Sequence, residues 1–594
     1  MSSFFSPGSA VLVLLLAGFI TIPVSLVMLW LYNRAVLAGM RRHGSVDDPA
    51  LDDPSPAADA PERPMLAGHD PLMLDVIEAD RGEGLSAAAA AVYGRATGGP
   101  WVAARVYALA GLAYAAVAVI ITLLASNVAA SPTRVVAILW VHLWPAIMAA
   151  NLVLVTGRWT KLRSVLLYVA IGALIGANSS GPWTDMLVFW LGTVGPPALF
   201  LIPLLHPRLR AVGPLVFAFM VLGIGGMLLA VSLAMTTAGS WLLVRAALLL
   251  QLAGELVNAA PSGSGLGLFQ TLATNDILAV LGGTALLGFV LFGVFAWYVL
   301  GTVGRLYQSK LISDQSVLID LIWLIFTINL VLMQSFQGLE WSAAALLSFA
   351  AYKLVSALGF RYVARRTGAA GGHRLLLLRV FGFRARSERL ISLVGSQWRY
   401  VGSIQLIAAT DLASTTVEPH EFLDFARGKL GGRYVTGRAD LERQLAQMDV
   451  RPDADGRFRV NEFFCHDDTW KMTLSRLAAA DDLVLMDLRG FSPANQGCSF
   501  ELHQLVDLVP LSKVVLILDL TTDVGFLREV LDAAWTTVSD SSPNRDLSPA
   551  RVVAFHLHRD DPKGARLLLA GLADAIAQDV AVPTPSSATV PAVA

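Results

Sequence analysis

The sequence predicts an α-helical multi-pass membrane bundle of about nine spans, followed by a C-terminal cytosolic α/β domain with a mostly parallel, doubly wound sheet. The 594-residue chain is 55% hydrophobic and only 15% charged, and its mean hydropathy is +0.60. Apolar stretches of about 20 residues, long enough to cross a bilayer core, recur between residues 10 and 360. Beyond residue 373, short apolar runs alternate with charged helical segments, as in a water-soluble domain. This composition excludes a purely soluble or a disordered protein.

The apolar stretches divide the first part of the chain. The predicted spans are residues 10–32, 101–126, 135–156, 164–177, 186–205, 211–235, 277–300, 316–336 and 341–360. We assign residues 1–33 to the first span, 34–100 to a cytosolic linker and 101–362 to the rest of the bundle. The linker is expected to be exposed because residues 45–64 are rich in Pro, Ala and Asp, with a short helix predicted at 71–78.

One further apolar segment, residues 241–261, is not counted as a span. Gln251, Glu255 and Asn258 are spaced i, i+4 and i+7, so they form one polar stripe on a helix. We expect this helix to lie in the outer interface or to re-enter the bundle, either as a connector or as a periplasmic sensor or gating element. The tail, residues 578–594, is expected to be disordered because its Pro, Ser, Thr and Ala offer no core.

Basic residues between the spans predict the orientation, because Lys and Arg concentrate in cytoplasmic loops. Arg41 and Arg42 follow the first span, and Arg365 and Arg366 follow the last. The pattern places the N-terminus outside and the C-terminal domain in the cytoplasm, with the chain in the bacterial plasma (inner) membrane. Arg134 and Arg245 are the exceptions.

Two charged residues fall within predicted spans. Asp320 and Lys353 lie at similar depths on the last two spans, so they are expected to form an intramembrane ion pair. A structural pair that fixes the hairpin is one interpretation, and a proton or ion relay is the other.

The C-terminal part alternates strand and helix patterns from residue 373 to residue 577. The predicted strands are LLLLRVF, SIQLIAA, FRVNEFFC, LVLMDL, KVVLILDL and RVVAFHL. Continuous apolar strands with intervening helices indicate a sheet covered on both faces. Ligands of such sheets bind beyond the carboxyl ends of the strands, at a topological switch point.

That rule selects the candidate site residues. The ligand-binding candidates are Arg379, Asp487, Arg489, Asn495, Cys498 and Asp519. Asp487 and Asp519 each end an apolar strand, where a carboxylate can cap a helix or hold a ribose or metal. Glu501 lies in the first turn of the helix that follows a Gly- and Asn-containing loop. It is the candidate catalytic carboxylate, as a general acid or base; the alternative is that it complements the helix N-terminus.

Several other chemistries are not supported. The sequence has neither the P-loop pattern nor G-x-G-x-x-G after the first strand, which argues against a P-loop NTPase and a standard dinucleotide fold. Cys465, His466, Cys498 and His503 match no compact zinc spacing, so no metal site is predicted. With a net charge of −1, the chain shows no sign of a nucleic-acid partner, and the lipid bilayer is the expected partner.

The segments FCHDDTW, LVLMDLRGF, NQGCSFEL and VVLILDLTTD, in this order, resemble those of a group of uncharacterised bacterial multi-pass membrane proteins with a C-terminal cytosolic α/β domain. This resemblance covers about residues 375–532. More distantly, the arrangement is similar to Toll/interleukin receptor (TIR) domains, whose NAD-cleaving members place a glutamate on the helix after the equivalent loop. Glu501 is the matching position, so the resemblance implies NAD or another nucleotide as the ligand. The first strand lacks the acidic-aromatic box of TIR domains, and Phe500 stands where a Trp often occurs nearby.

Three functions follow from these observations. The first is a membrane-anchored regulatory or signalling protein whose α/β domain binds a nucleotide-like ligand or a cytosolic protein partner, which includes a second copy of the chain. The second is NAD or nucleotide hydrolysis with Glu501 as the catalytic carboxylate. The third is a transporter with a cytosolic regulatory domain, which would need converging polar groups within the bundle.

Overall fold

The computed structural model of the protein describes residues 7–40, 71–78, 85–178, 182–204, 206, 209, 212–234, 276–334, 337–367, 372–379, 393–408, 419–466, 468–557 and 562–581. The bundle helices within these ranges are α1 Pro7–Met40, α2 Ala87–Ala125, α3 Pro132–His142, α4 Trp144–Val153, α5 Arg158–Ala177, α6 Trp183–Leu204, α7 Gly213–Ala234, α8 Asp276–Gln308, α9 Asp314–Gln334 and α10 Leu339–Thr367.

Eight helical segments of the described ranges are long enough and apolar enough to cross a membrane, by length and composition. They are Leu15–Met40, Ala87–Ala125, Pro132–Val153, Trp159–Ala177, Gly213–Val231, Leu281–Gln308, Asp314–Gln334 and Glu340–Arg366. Eight of the nine predicted spans coincide with these segments. The predicted span 186–205 lies in α6, which is not among the eight, and 241–261 lies outside the described residues. The span predicted at 135–156 is interrupted at Leu143, and Pro145 lies in the first turn of the next helix.

The polar half of the chain forms an eight-stranded sheet in which every neighbouring pair is parallel. The strands are β1 Met73–Glu78, β2 His373–Arg379, β3 Gly402–Ala408, β4 Tyr434–Val435, β5 Val460–Cys465, β6 Leu483–Asp487, β7 Val514–Leu518 and β8 Arg551–His556. Their order across the sheet is β1-β8-β7-β6-β2-β3-β5-β4. The predicted parallel sheet with helices is therefore present.

Helices cover both faces of this sheet. They are α11 Pro419–Ala426, α12 Arg438–Ala446, α13 Trp470–Ala480, α14 Gln496–Leu508, α15 Val524–Thr536 and α16 Pro562–Ala581. Alternate residues of β2 enter two separate apolar clusters: Leu376 and Leu378 pack with α13, α14 and α15, whereas Leu375 and Leu377 pack with α16 and the start of α2. This division follows from the two-residue period of a strand and explains why β2 is apolar throughout.

The predicted linker 34–100 contributes structure to both halves through its described residues, and residues 45–64, on which the expected exposure rests, lie outside the described residues. Residues 73–78 form β1, which pairs with β8 along the edge of the sheet, and are not the expected helix. A helix of only six residues is marginally stable in water, whereas a strand at this position forms backbone hydrogen bonds with the edge of β8. The first turns of α2 bury Ala89, Val92 and Ala96 against the sheet, and α1 continues past residue 33 to Met40. At the other end α16 runs to Ala581, into the predicted tail.

The bundle contacts the sheet at the amino ends of the strands. Arg399, just before β3, donates from Nη2 to Asp314 Oδ2 at 2.7 Å. Arg459, just before β5, has its guanidinium carbon 3.7 Å from the centre of the Tyr307 ring at the end of α8, and Ser313 donates to Asp455. The contacts with α8 and α9 therefore lie at the opposite end of the strands from the carboxyl ends of β2 and β6.

The C-terminal end of α1 packs along the β4 and β5 edge of the sheet. Tyr434 Oη donates to the carbonyl oxygen of Val36 at 2.9 Å, and His466 Nδ1 lies 3.0 Å from the carbonyl oxygen of Gly39. Tyr32 and Met40 join Phe464 in one apolar cluster. The α/β part is thus held against the bundle by side chains from four separate helices, α1, α2, α8 and α9.

Candidate functional site

The candidate site lies where β2 and β6 end side by side. Arg379 is the last residue of β2 and stands in register with Asp487, the last residue of β6. The chain passes from β2 outward through β3 and β5, then returns to place β6 on the opposite side of β2. This reversal is a topological switch point, where a ligand crevice is expected between the ends of the two strands.

Asp487 and Arg489 form a buried bidentate ion pair at the carboxyl end of β6. Arg489 donates from Nε to Oδ1 at 2.8 Å and from Nη2 to Oδ2 at 2.7 Å. Its backbone N–H also reaches Oδ1, at 3.2 Å. Both side chains are only 5% exposed. Two parallel charge-assisted bonds hold both side chains in a fixed position. The pair carries no net charge.

Glu501 and Cys498 lie on the first turns of α14 and face the same strand end. Cys498 donates weakly from Sγ to the carbonyl oxygen of Arg379, 3.8 Å away. Glu501 is buried, and its Oε2 has no hydrogen-bond partner. Burial raises the pKa of Glu501 to about 8, although the positive charge of Arg379 opposes the shift. The carboxyl group is thus largely protonated at neutral pH, with the capacity to donate or accept a proton.

Asn495 and Asp519 are used in local turns. Asn495 Oδ1 accepts from the backbone N–H of Ser492 at 3.0 Å, which closes the loop between β6 and α14. Asp519 Oδ1 accepts from the backbone N–H of Thr521 at 2.9 Å, in the loop after β7. The structure therefore brings together Arg379, Asp487, Arg489, Cys498 and Glu501, while Asn495 and Asp519 order the adjoining loops. Residues 380–392, which follow β2, lie outside the described residues.

The two charged residues predicted inside the bundle are in contact. Lys353 Nζ lies 2.6 Å from Asp320 Oδ2, and Tyr352 Oη donates to Asp320 Oδ1 at 2.9 Å. Both carboxylate oxygens of Asp320 are thereby engaged across α9 and α10. Ion relay and transport stay predictions.

Metal ligands do not gather in the part of the chain that the structure describes: no three His, Cys, Asp or Glu side chains form a metal-binding group there. Cys465 and Cys498 are both free and buried. Burial raises the pKa of the Cys465 thiol to about 12, so this thiol is a poor ligand and nucleophile at neutral pH.

The polar contacts between bundle and sheet were missed by the sequence analysis. Arg459 binds Asp453 Oδ1 from Nη2 at 2.7 Å, and Arg457 Nη1 donates to Gln315 Oε1 at 2.7 Å. The turn at 453–456 contains two Asp residues and lies between Arg451 and Arg457 in the sequence. Its position between two arginines was a usable signal, because buried acidic turns need cationic partners.

The ionisation of Glu501 predicts a pH-dependent stability. Its folded pKa of about 8 exceeds its ordinary value of 4.5, so the stability due to the neutral group is present at low pH. That stability is lost as pH rises from about 4.5 to about 8. Glu501→Gln cannot ionise, and we expect its unfolding midpoint to fall less than that of the wild type between pH 5 and pH 8.5. Scanning fluorimetry at several pH values measures this difference.

In Glu501→Gln, we expect the unfolding midpoint to depend on pH less steeply than in the wild type. Some dependence should remain, because burial also raises the pKa of Asp481 to about 7. Glu529→Gln, an exposed carboxylate on α15, provides the control and should keep the wild-type slope. Parallel pH curves for Glu501→Gln and the wild type would contradict the prediction.

These features define a class of protein: a bundle of long apolar helices that holds a parallel α/β sheet with ionisable side chains at the carboxyl ends of β2 and β6. Comparison with protein-family models, with curated proteins and with solved structures finds no match. The similarity to TIR domains and to NAD-cleaving enzymes stays a prediction.

Proposed function

We propose that the chain is a membrane-anchored regulatory or signalling protein whose α/β domain binds a nucleotide-like ligand between β2 and β6. One observation carries this proposal: the buried carboxyl group of Glu501 has an unpartnered oxygen beside Arg379, at the topological switch point. A buried polar atom without a partner is costly unless a ligand or water completes its hydrogen bonding.

The strand order supports a nucleotide as the ligand class. Numbered along the chain, the strands β2, β3, β5, β6, β7 and β8 stand in the order 3-2-1-4-5-6. This is the order of doubly wound sheets that bind nucleotides at the switch point. In the proposed complex, a hydroxyl group of the ligand forms a hydrogen bond with Glu501. A negatively charged group of the ligand lies near Arg379. The neutral Asp487–Arg489 pair forms a wall of the crevice.

We further propose a bacterial plasma-membrane location with nine spans, an outer N-terminus and a cytoplasmic α/β domain, as the basic loops predict. The carboxyl ends of β2 and β6 lie at the opposite end of the strands from the contacts with α8 and α9. A signal that moves α9 would therefore reach the crevice through β2, β3 and β5. This separation suits a regulatory arrangement, in which a cytosolic partner approaches the crevice unobstructed by the bundle.

Hydrolysis of NAD or another nucleotide is the second candidate. The pKa of about 8 for Glu501 favours it, because a general acid or base works best when its pKa is close to the operating pH. In this role the ionised form of Glu501 would accept a proton from water, whose oxygen forms the new bond to the ribose carbon of NAD as the bond to the nicotinamide leaving group breaks.

The test uses the full chain, purified in lipid nanodiscs, with NAD, ATP and GTP as probes. We expect at least one probe to raise the unfolding midpoint of the wild type and to bind Glu501→Gln about tenfold more weakly, as expected for the loss of a hydrogen bond to a buried group. Glu529→Gln is the matched control and should bind like the wild type. If none of the probes binds at millimolar concentration, the nucleotide proposal is wrong. Release of nicotinamide from NAD, lost in Glu501→Gln, would identify the hydrolase.

A further inference from the structure

A second candidate site lies at the cytosolic end of α8, far from the crevice between β2 and β6. A cleft of about 940 Å³ separates the last turns of α8 from the α/β domain. Five cationic and two acidic side chains line it. The cleft thus joins a membrane-length helix to a predominantly basic wall.

The two acidic side chains are both bound by cations. Asp424 Oδ2 lies 3.2 Å from Arg433 Nε. Asp449 Oδ2 lies 3.3 Å from Arg459 Nη1, and its other oxygen contacts Lys310. Glu421 and Asp453, behind the wall, bind the same two arginines. These carboxylates are therefore not available to the remaining cations of the cleft.

Arg427 and Arg451 are those remaining cations. Across the described ranges, neither guanidinium group has a hydrogen bond or an ion pair. Arg427 is half-buried and Arg451 is exposed. A half-buried guanidinium without a partner has lost part of its hydration, so a bound anion would be stabilised there.

Glycines on α8 allow Arg427 to lie against the helix. A Cβ atom at Gly301 would come within 2.8 Å of Arg427 Nη2, and one at Gly304 would lie 3.6 Å from Nη1. A larger residue at 301 would push the guanidinium away from the helix surface. The close approach places this positive charge at the end of the membrane-length segment Leu281–Gln308.

An exposed apolar stripe on α8 leads into the cleft. Val290, Val294 and Trp297 are 50%, 66% and 46% exposed. An α-helix turns 100° per residue, so these three residues lie on the same face of α8 as Gly301 and Gly304. All five positions are within about 40° of the centre of that face. Tryptophan is enriched at the level of lipid headgroups. Lipid acyl chains along this stripe would bring their headgroup to Arg427.

We propose that this cleft binds the phosphate group of an anionic phospholipid, with Arg427 and Arg451 as its ligands and the acyl chains along Val290, Val294 and Trp297. A soluble phosphate ester shares the headgroup chemistry. The apolar stripe favours the lipid, because a soluble ester would make no use of it. This site is independent of the nucleotide site proposed above.

The test measures lipid binding to the delipidated full chain by native mass spectrometry. The probes are phosphatidylglycerol, which is anionic, and phosphatidylcholine, which is zwitterionic. We expect the wild type to prefer phosphatidylglycerol, and each of Arg427→Gln and Arg451→Gln to lose about fivefold in affinity, the effect of one basic residue near an anionic lipid surface. The double variant should lose the preference.

Arg528→Gln, an exposed arginine on α15 away from the cleft, is the matched control and should bind like the wild type. Val294→Asp interrupts the apolar stripe without touching the arginines and should weaken phosphatidylglycerol binding too. Equal binding of the two lipids by the wild type, or wild-type binding by the double variant, would overturn the proposal. So would displacement of the lipid by millimolar glycerol phosphate together with wild-type binding by Val294→Asp, since these results would identify a soluble ester as the ligand.

Discussion

Asp487→Asn is expected to destabilise the α/β part of the chain by about 3 to 5 kcal/mol, the usual cost of leaving one member of a buried ion pair uncompensated. The substitution keeps the shape of the side chain but removes the charge that holds Arg489. Both bidentate bonds, of 2.8 and 2.7 Å, are made to this carboxylate. The guanidinium would stay buried next to a neutral amide. Thermal unfolding of the full chain, with hydrogen exchange over residues 483–487, measures the loss.

Glu442→Gln provides the matched control. Glu442 binds Arg476 Nε at 2.7 Å, but both side chains of this pair are about half exposed. Water and salt screen such a pair, so no measurable change in stability is expected. Equal unfolding midpoints for Asp487→Asn and the wild type would show that the buried pair does not stabilise the sheet.

Arg399→Met should loosen the contact between the bundle and the α/β domain, at a cost of about 3 to 5 kcal/mol. Arg399 is buried and donates to the carbonyl oxygen of Phe458 at 2.6 Å as well as to Asp314. Methionine preserves most of the apolar stem but leaves Asp314 without this cation. We expect faster hydrogen exchange in residues 308–316 and 452–459, because both segments depend on this contact for their packing.

The control for this variant is Arg443→Met, since Arg443 binds Asp440 at 2.6 Å in a pair that is 55% exposed on the arginine side. It should leave exchange in both segments unchanged. If Arg399→Met also leaves them unchanged, the contact with Asp314 does not hold the domain in place.

The sequence was sufficient for those features that depend on local periodicity. Leu375 to Leu378 form an uninterrupted apolar run, and the structure distributes them to both faces of a parallel sheet. The rule that ligands bind at carboxyl ends also selected Arg379, Asp487 and Glu501 together. It applied because a parallel sheet places all its carboxyl ends on one edge, whatever the order of the strands.

Features that depend on distant partners could not be predicted. Met73–Glu78 is too short and mixed in character to identify as a strand until β8 lies beside it. Arg427 and Gly301 are far apart in the chain. No local sequence pattern relates a cation of the α/β domain to a glycine on a bundle helix. The raised pKa of Glu501 likewise depends on the burial of its side chain in the folded domain, which the sequence does not encode locally.

The path of α2 determines how the protein can be divided. This helix has 39 residues and is therefore about 58 Å long, roughly twice the thickness of a bilayer core. Its first turns complete the apolar core of the sheet, and β1 just before it shields the edge of β8. A recombinant fragment of residues 373–577 would lack both elements. Such a fragment would carry an open parallel edge and a bare apolar face, so it should self-associate in solution.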